Sequence, residues 1–127
     1  MKFRYEELDV CPMILKFIDD IYFLTLKFPS SERYALATQI QRAAISIYLN
    51  VAEGSARTRK EFARFTRFSM GSLLEVHAGL KIALNRSYIT PEEWDRLQGS
   101  FQEIWFKLWN LRESQNALSK TTEPNQK

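Results

Sequence analysis

Apolar residues recur at three- and four-residue spacing through four stretches of this chain, and that feature commits it to helices. At 3.6 residues per turn such positions share a face, and a continuous apolar face has to be buried against another element. Ile14, Phe17, Ile18, Ile21, Leu24 and Phe28 make the first stripe, and Ala37, Ile40, Ala44, Ile47 and Val51 the second. Phe62, Phe65, Ser69, Leu73, Val76, Leu80 and Ala83 make the third. Trp94, Leu97, Phe101, Ile104, Trp105, Leu108 and Leu111 make the fourth. No stretch shows the period of two that a strand requires.

The stops between the stripes are written with comparable clarity. Helix one is expected over 9–27, capped by Asp9, with Pro12 in the first turn, where a missing N–H has no helical partner to lose. Phe28-Pro29-Ser30-Ser31 breaks it, and Ser31 is expected to cap helix two over 32–53. Gly54 is expected to end that helix, because glycine enters the left-handed conformation of a C-cap without steric cost. Thr58-Arg59-Lys60-Glu61 reads as a capping box opening helix three, which fades near 85–87. Thr90-Pro91-Glu92-Glu93 opens helix four with a cap, a proline at the first helical position and acids at the positive end of the dipole.

Connections this short turn consecutive helices back on one another, so the expected fold is all-α: an antiparallel up-down-up-down four-helix bundle. One domain is expected over 1–118, with the polar run 119–127 as a disordered tail. Helix one carries Leu15, Tyr22, Phe23 and Leu26 off its stripe, which points a second apolar face at another subunit. Gly71, Ser72, Ala78 and Gly79 in helix three predict a closely approaching neighbour, since each internal glycine costs up to about 1 kcal/mol relative to alanine.

The residues that carry chemistry are scarce. One histidine and one cysteine leave no set of metal ligands, and no phosphate-binding glycine loop or cofactor motif occurs, so a non-enzymatic protein without a cofactor is expected. His77 reads as a surface or packing residue. A di-iron bundle would need Glu-x-x-His pairs, whereas Glu75 stands two residues before His77. A lone Cys11 fits a reducing cytoplasm, and neither a signal peptide nor the roughly 20 apolar residues of a membrane helix appears. The expected location is therefore cytoplasmic, with no membrane partner.

A basic segment gives the functional expectation. Arg57, Arg59, Lys60, Arg64 and Arg67 cluster at the start of helix three, within a chain of net charge +3. Lys60, Arg64 and Arg67 stand four and three apart, on one helix face clear of the core stripe. Cations at a helix N-terminus oppose the macrodipole by about 0.3–1 kcal/mol each, and a helix start is in itself suited to phosphate. Phe62, Phe65 and Phe68 interleave with these cations, as stacking platforms do in single-strand binders, although helical spacing assigns the first two to the core. The same charges also suit a solvated face partly neutralised by Glu53 and Glu61. Two readings follow: RNA or DNA bound through its backbone, or a protein-interaction scaffold working through apolar residues such as Phe23, Leu26 and Trp109.

One long motif adds a resemblance. The runs Gln39-Ile40-Gln41-Arg42-Ala43-Ala44-Ile45-Ser46-Ile47, Asn50-Val51-Ala52-Glu53-Gly54 and Gly71-Ser72-Leu73-Leu74-Glu75, with Lys27-Phe28-Pro29 and Glu32-Arg33-Tyr34-Ala35-Leu36 before them, resemble a bacterial family. Its members are the four-helix bundle proteins encoded in intervening sequences of large-subunit ribosomal RNA genes. The similarity extends from Leu8 to about Leu111. It implies a compact bundle assembled into a ring-like homopentamer. It implies also a likeness to the accessory variability proteins of diversity-generating retroelements, which bind nucleic acid and associate with a reverse transcriptase. Arg42, Asn50, Glu53 and Gly54 match the motif. The roles implied for them are structural: Asn50 and Glu53 holding the turn after helix two, and Arg42 pairing with a carboxylate such as Glu75. Cys11, Met13 and Tyr48 depart from the family pattern, in helices that would form subunit contacts.

Overall fold

The structure, a computed structural model, describes residues 1–122. It is all-α, with four α-helices and no strand among those residues: α1 (Val10–Thr25), α2 (Leu36–Ser55), α3 (Arg59–Asn85) and α4 (Pro91–Thr122). Short 3-10 turns at Arg4–Glu7 and Ser30–Glu32 precede α1 and α2. The helices touch in the order α1, α2, α3, α4 and back to α1, with the closest backbone approach between α2 and α3. Each stripe supplies the core. Phe17, Ile21, Ile40, Ile47, Phe62, Leu73, Leu80, Ile104 and Leu108 are all buried, and Phe17 meets Phe101 edge to face at 5.0 Å.

The capping chemistry of α3 and α4 follows the sequence. Thr58 accepts the N–H of Glu61 at 3.2 Å, and Thr90 accepts that of Glu93 at 3.1 Å while the Glu93 carboxylate accepts the Thr90 N–H at 2.9 Å. Helix α3 ends at Asn85 without a glycine. Ser87 takes φ 62°, its N–H bonds to Leu84 O at 3.0 Å, and the Tyr88 N–H reaches back to Ala83 O at 2.8 Å. This is the six-to-one closure of a Schellman turn, with serine in the left-handed position.

Other boundaries move for identifiable reasons. Asp9 caps nothing, because its carboxylate pairs with Lys107 of α4. Ser31 lies within a 3-10 turn, and α2 begins only at Leu36; the Glu32 carboxylate accepts the Leu36 N–H and, on its other oxygen, the Tyr88 hydroxyl. Gly54 sits inside α2 with negative φ, so it is no C-cap. Its task is contact, since a Cβ there would stand 2.7 Å from the Cβ of Phe65. Gly79 does the same against Ile40, at 2.6 Å, whereas Gly71 faces open space and admits no neighbour. Helix α4 continues to Thr122, past the expected domain end at Leu118, and the expected tail residues 123–127 lie outside the described residues.

Two ion pairs register α1 on α4: Asp9 with Lys107 at one end and Lys27 with Glu93 at the other. Because α4 has 32 residues and α1 has 16, the last turns of α4 run on beyond Lys107 and past the start of α1. This overhang meets the first turns of α3 and builds the site described next.

Candidate nucleic-acid interface

Residues 56–58 connect α2 to α3, and the charges around this turn divide into two groups. Arg57 is occupied. Its guanidinium donates to Glu53 at 2.6 Å and Glu61 at 3.5 Å and lies 4.8 Å from the centre of the Phe65 ring. The hydrogen bond to Glu53 is the main cause holding this guanidinium even more firmly protonated than usual. Glu61 is held below the usual carboxylate range, first by the Thr58 hydroxyl, then by the Thr58 backbone and the charge of Arg57. Arg57, Glu53 and Glu61 therefore form a clamp across the turn rather than an open cationic surface.

Lys60, Arg64 and Arg67 form the second group. They are exposed and make no ion pair within the chain among the described residues. With Arg112 and Asn116 of α4 they line a groove of about 300 Å³, floored at Ala63, in which Glu61 is the single carboxylate among the described residues. Arg59, exposed at the first position of α3, does not line this groove. Of the five predicted cations the structure thus brings three together, ties up one and leaves one apart.

Arg112 was missed by the sequence reading. It lies 45 positions beyond Arg67, and nothing in the spacing of α4 tells which flank faces the start of α3. Its guanidinium lies 4.6 Å from the centre of the Trp109 ring, and one terminal nitrogen donates to Glu113 at 3.3 Å. Its Nε is buried without a hydrogen-bond partner, as is Gln115 Oε1 one turn along. Unsatisfied buried polar atoms are uncommon in folded proteins, and two so close together mark this end of α4 as unusual. Arg4, on the 3-10 turn before α1, stands 5.4 Å from the centre of Phe62 and adds a cation at the same end.

The motif residues have local tasks. Asn50 donates to the backbone and hydroxyl oxygens of Ser46, one turn back, instead of holding the helix end. Glu53 does bracket that end, through Arg57 and through its carbonyl, which accepts the Ala56 N–H at 3.4 Å. Arg42 is exposed and no ion pair joins it to Glu75. His77 packs its ring against Trp94 and Phe101, with Nε2 3.2 Å from Gln98 Oε1. No cluster of three metal-ligating side chains occurs among the described residues, and none of the helices is long and apolar enough to cross a membrane.

Comparison with known families matches residues 6–110 to the 23S rRNA-intervening sequence proteins. The chain belongs to that family. Comparison with curated proteins gives no match. The matched span takes in all of α1 to α3 and the first part of α4, including Lys60, Arg64 and Arg67. Arg112 and Asn116, which complete the groove, lie beyond it.

Proposed function

We propose that this member of the intervening-sequence family is a non-enzymatic nucleic-acid-binding bundle, holding RNA or DNA by its backbone in the α3–α4 groove. The convergence of Lys60, Arg64, Arg67 and Arg112 on one groove, against Glu61 in its lining and Glu113 paired with Arg112, carries this reading. Four cations from two helices raise the local positive potential well above what the modest net charge of +3 would give when spread evenly. The bundle is antiparallel, up-down-up-down, as the short connections and the two end-to-end ion pairs of α1 with α4 favour. It assembles as a ring-like homo-oligomer, with a pentamer favoured from the family resemblance. Exposed apolar side chains support an assembly: Phe23 on α1 and Leu26 just after it are 76% and 80% exposed, and Phe106 on α4 is 65% exposed.

Those same side chains favour the second reading, a scaffold that takes a protein partner, a reverse transcriptase among the candidates, without nucleic acid. A salt titration separates the two. Backbone binding through four cations gives a slope of log affinity against log salt of roughly −3 to −4. Lys60→Ala, Arg64→Ala and Arg67→Ala combined should remove most of that slope with helicity intact, because all three side chains are exposed. Wild-type protein that fails to bind structured RNA or duplex DNA at low salt would leave the scaffold as the working reading. Light scattering of the purified chain measures the subunit number directly.

A further inference from the structure

We infer that the α3–α4 groove takes single-stranded nucleic acid, with its phosphates on Lys60, Arg64, Arg67 and Arg112 and its bases against Phe68 and Trp109. The inference rests on the nucleic-acid reading above and adds a choice between strand and duplex. Two features carry it. The first is the pairing of groove arginines with half-exposed rings. Arg64 lies 5.5 Å from the centre of Phe68, which is 40% exposed, and Arg112 lies 4.6 Å from the centre of Trp109, which is 41% exposed. Neither ring lines the groove itself, but each flanks one of its arginines, so a cation and a ring stand side by side next to it on α3 and on α4, the combination that accepts alternate phosphates and bases of an unpaired strand. In a duplex the bases are stacked on each other and unavailable to either ring.

The second feature is the depth of Arg112. Its side chain is only 23% exposed, whereas Lys60, Arg64 and Arg67 stand at the rim. Duplex DNA is stiff, with a persistence length of about 50 nm, and its backbone can lie on the rim without entering the groove. A flexible strand can follow the groove down to Arg112, whose partly exposed side chain lines it.

The test uses the full chain and short labelled oligouridine and oligothymidine strands, each free and annealed to its complement, with fluorescence anisotropy as readout. Wild type should bind the free strands at least about tenfold more tightly than the duplexes. Phe68→Leu and Trp109→Leu should each weaken strand binding by roughly 5- to 150-fold, the range of losing one stacked base, with duplex affinity unchanged. Trp109→Phe, which keeps a ring, should restore most of the loss. Equal response of both strands assigns the contact to backbone and base faces, and a preference for oligouridine assigns it also to the 2′-hydroxyl. Duplex binding as tight as strand binding, or ring variants without effect while the triple cation variant abolishes binding, overturns the inference and leaves the backbone reading standing. No binding of any probe by wild type overturns both.

Discussion

Where α2 meets α3, the backbones come close over Gly54 and Gly79, and small hydroxyls finish the contact: Ser69 donates to Ile47 O and Ser72 to Ser46 Oγ. Where α1 meets α4 the backbones stand further apart, spaced by Phe17 against Phe101, with an ion pair at each end. One seam depends on atoms that are absent from the side chains, and the other on large rings that are present. The first should tolerate deletion better than addition, and the second the reverse, because close-packed interiors resist both voids and overfilling.

The largest effect expected from this contrast is at the ring-filled seam. Phe17→Ala removes a side chain that is 1% exposed and should lower the unfolding free energy by about 3–5 kcal/mol, read as a fall in the urea midpoint with m unchanged. A loss under about 1 kcal/mol would mean that α1 is loosely held and that the two seams do not differ as described.

Next comes a methyl added at the close seam. Gly79→Ala places a Cβ 2.6 Å from Ile40 Cγ1, and Ile40 is itself buried, so overpacking should cost about 1–3 kcal/mol, more than the helix-propensity gain of up to about 1 kcal/mol. Gly71→Ala, eight positions earlier in the same helix, meets no atom within 4 Å and should instead stabilise by up to about 1 kcal/mol. Opposite signs for one substitution in one helix would establish close approach as the cause. Equal signs would refute it.

The smallest effect belongs to the ion pairs at the ends of α1 and α4, worth up to about 1 kcal/mol each at a partly exposed site. The hydrogen bond from Lys27, followed by the Thr90 N–H, holds the Glu93 carboxyl below its ordinary value of 4.5. A depressed carboxyl stabilises the fold above that ordinary value, and the contribution disappears as pH falls through the folded value. Wild type should therefore lose stability below about pH 4.5, and Glu93→Gln should show a shallower acid limb. Cys11, buried in the first turn of α1, gives a probe of how firmly that end of the helix is held. Burial, and then Asp9, push its thiol to about 11, so it should react with a thiol reagent at neutral pH only as fast as the chain opens. Rapid labelling of the native protein would show the start of α1 to be fluid.

Much of this was legible from spacing and caps. Most stripe positions lie in or against the core, with Phe65 outside it, and Thr58 and Thr90 cap α3 and α4 as their residue types require, because periodicity and local hydrogen bonding act within one turn of helix. The sequence alone also placed Lys60, Arg64 and Arg67 on one face. What it could not decide were the outcomes of competition between distant groups. Asp9 is drawn from its helix end by Lys107, 98 positions away, and Glu32 is shared between Leu36 and Tyr88. Gly54 serves a helix crossing instead of a turn because Phe65 needs the space. Arg112 joins the α3 cations only because α4 overhangs α1 and turns one flank toward the start of α3. Local rules fixed where helices form; the closest approach of packed helices decided which charges meet, since long-range contact is set by volume and register that no single segment contains.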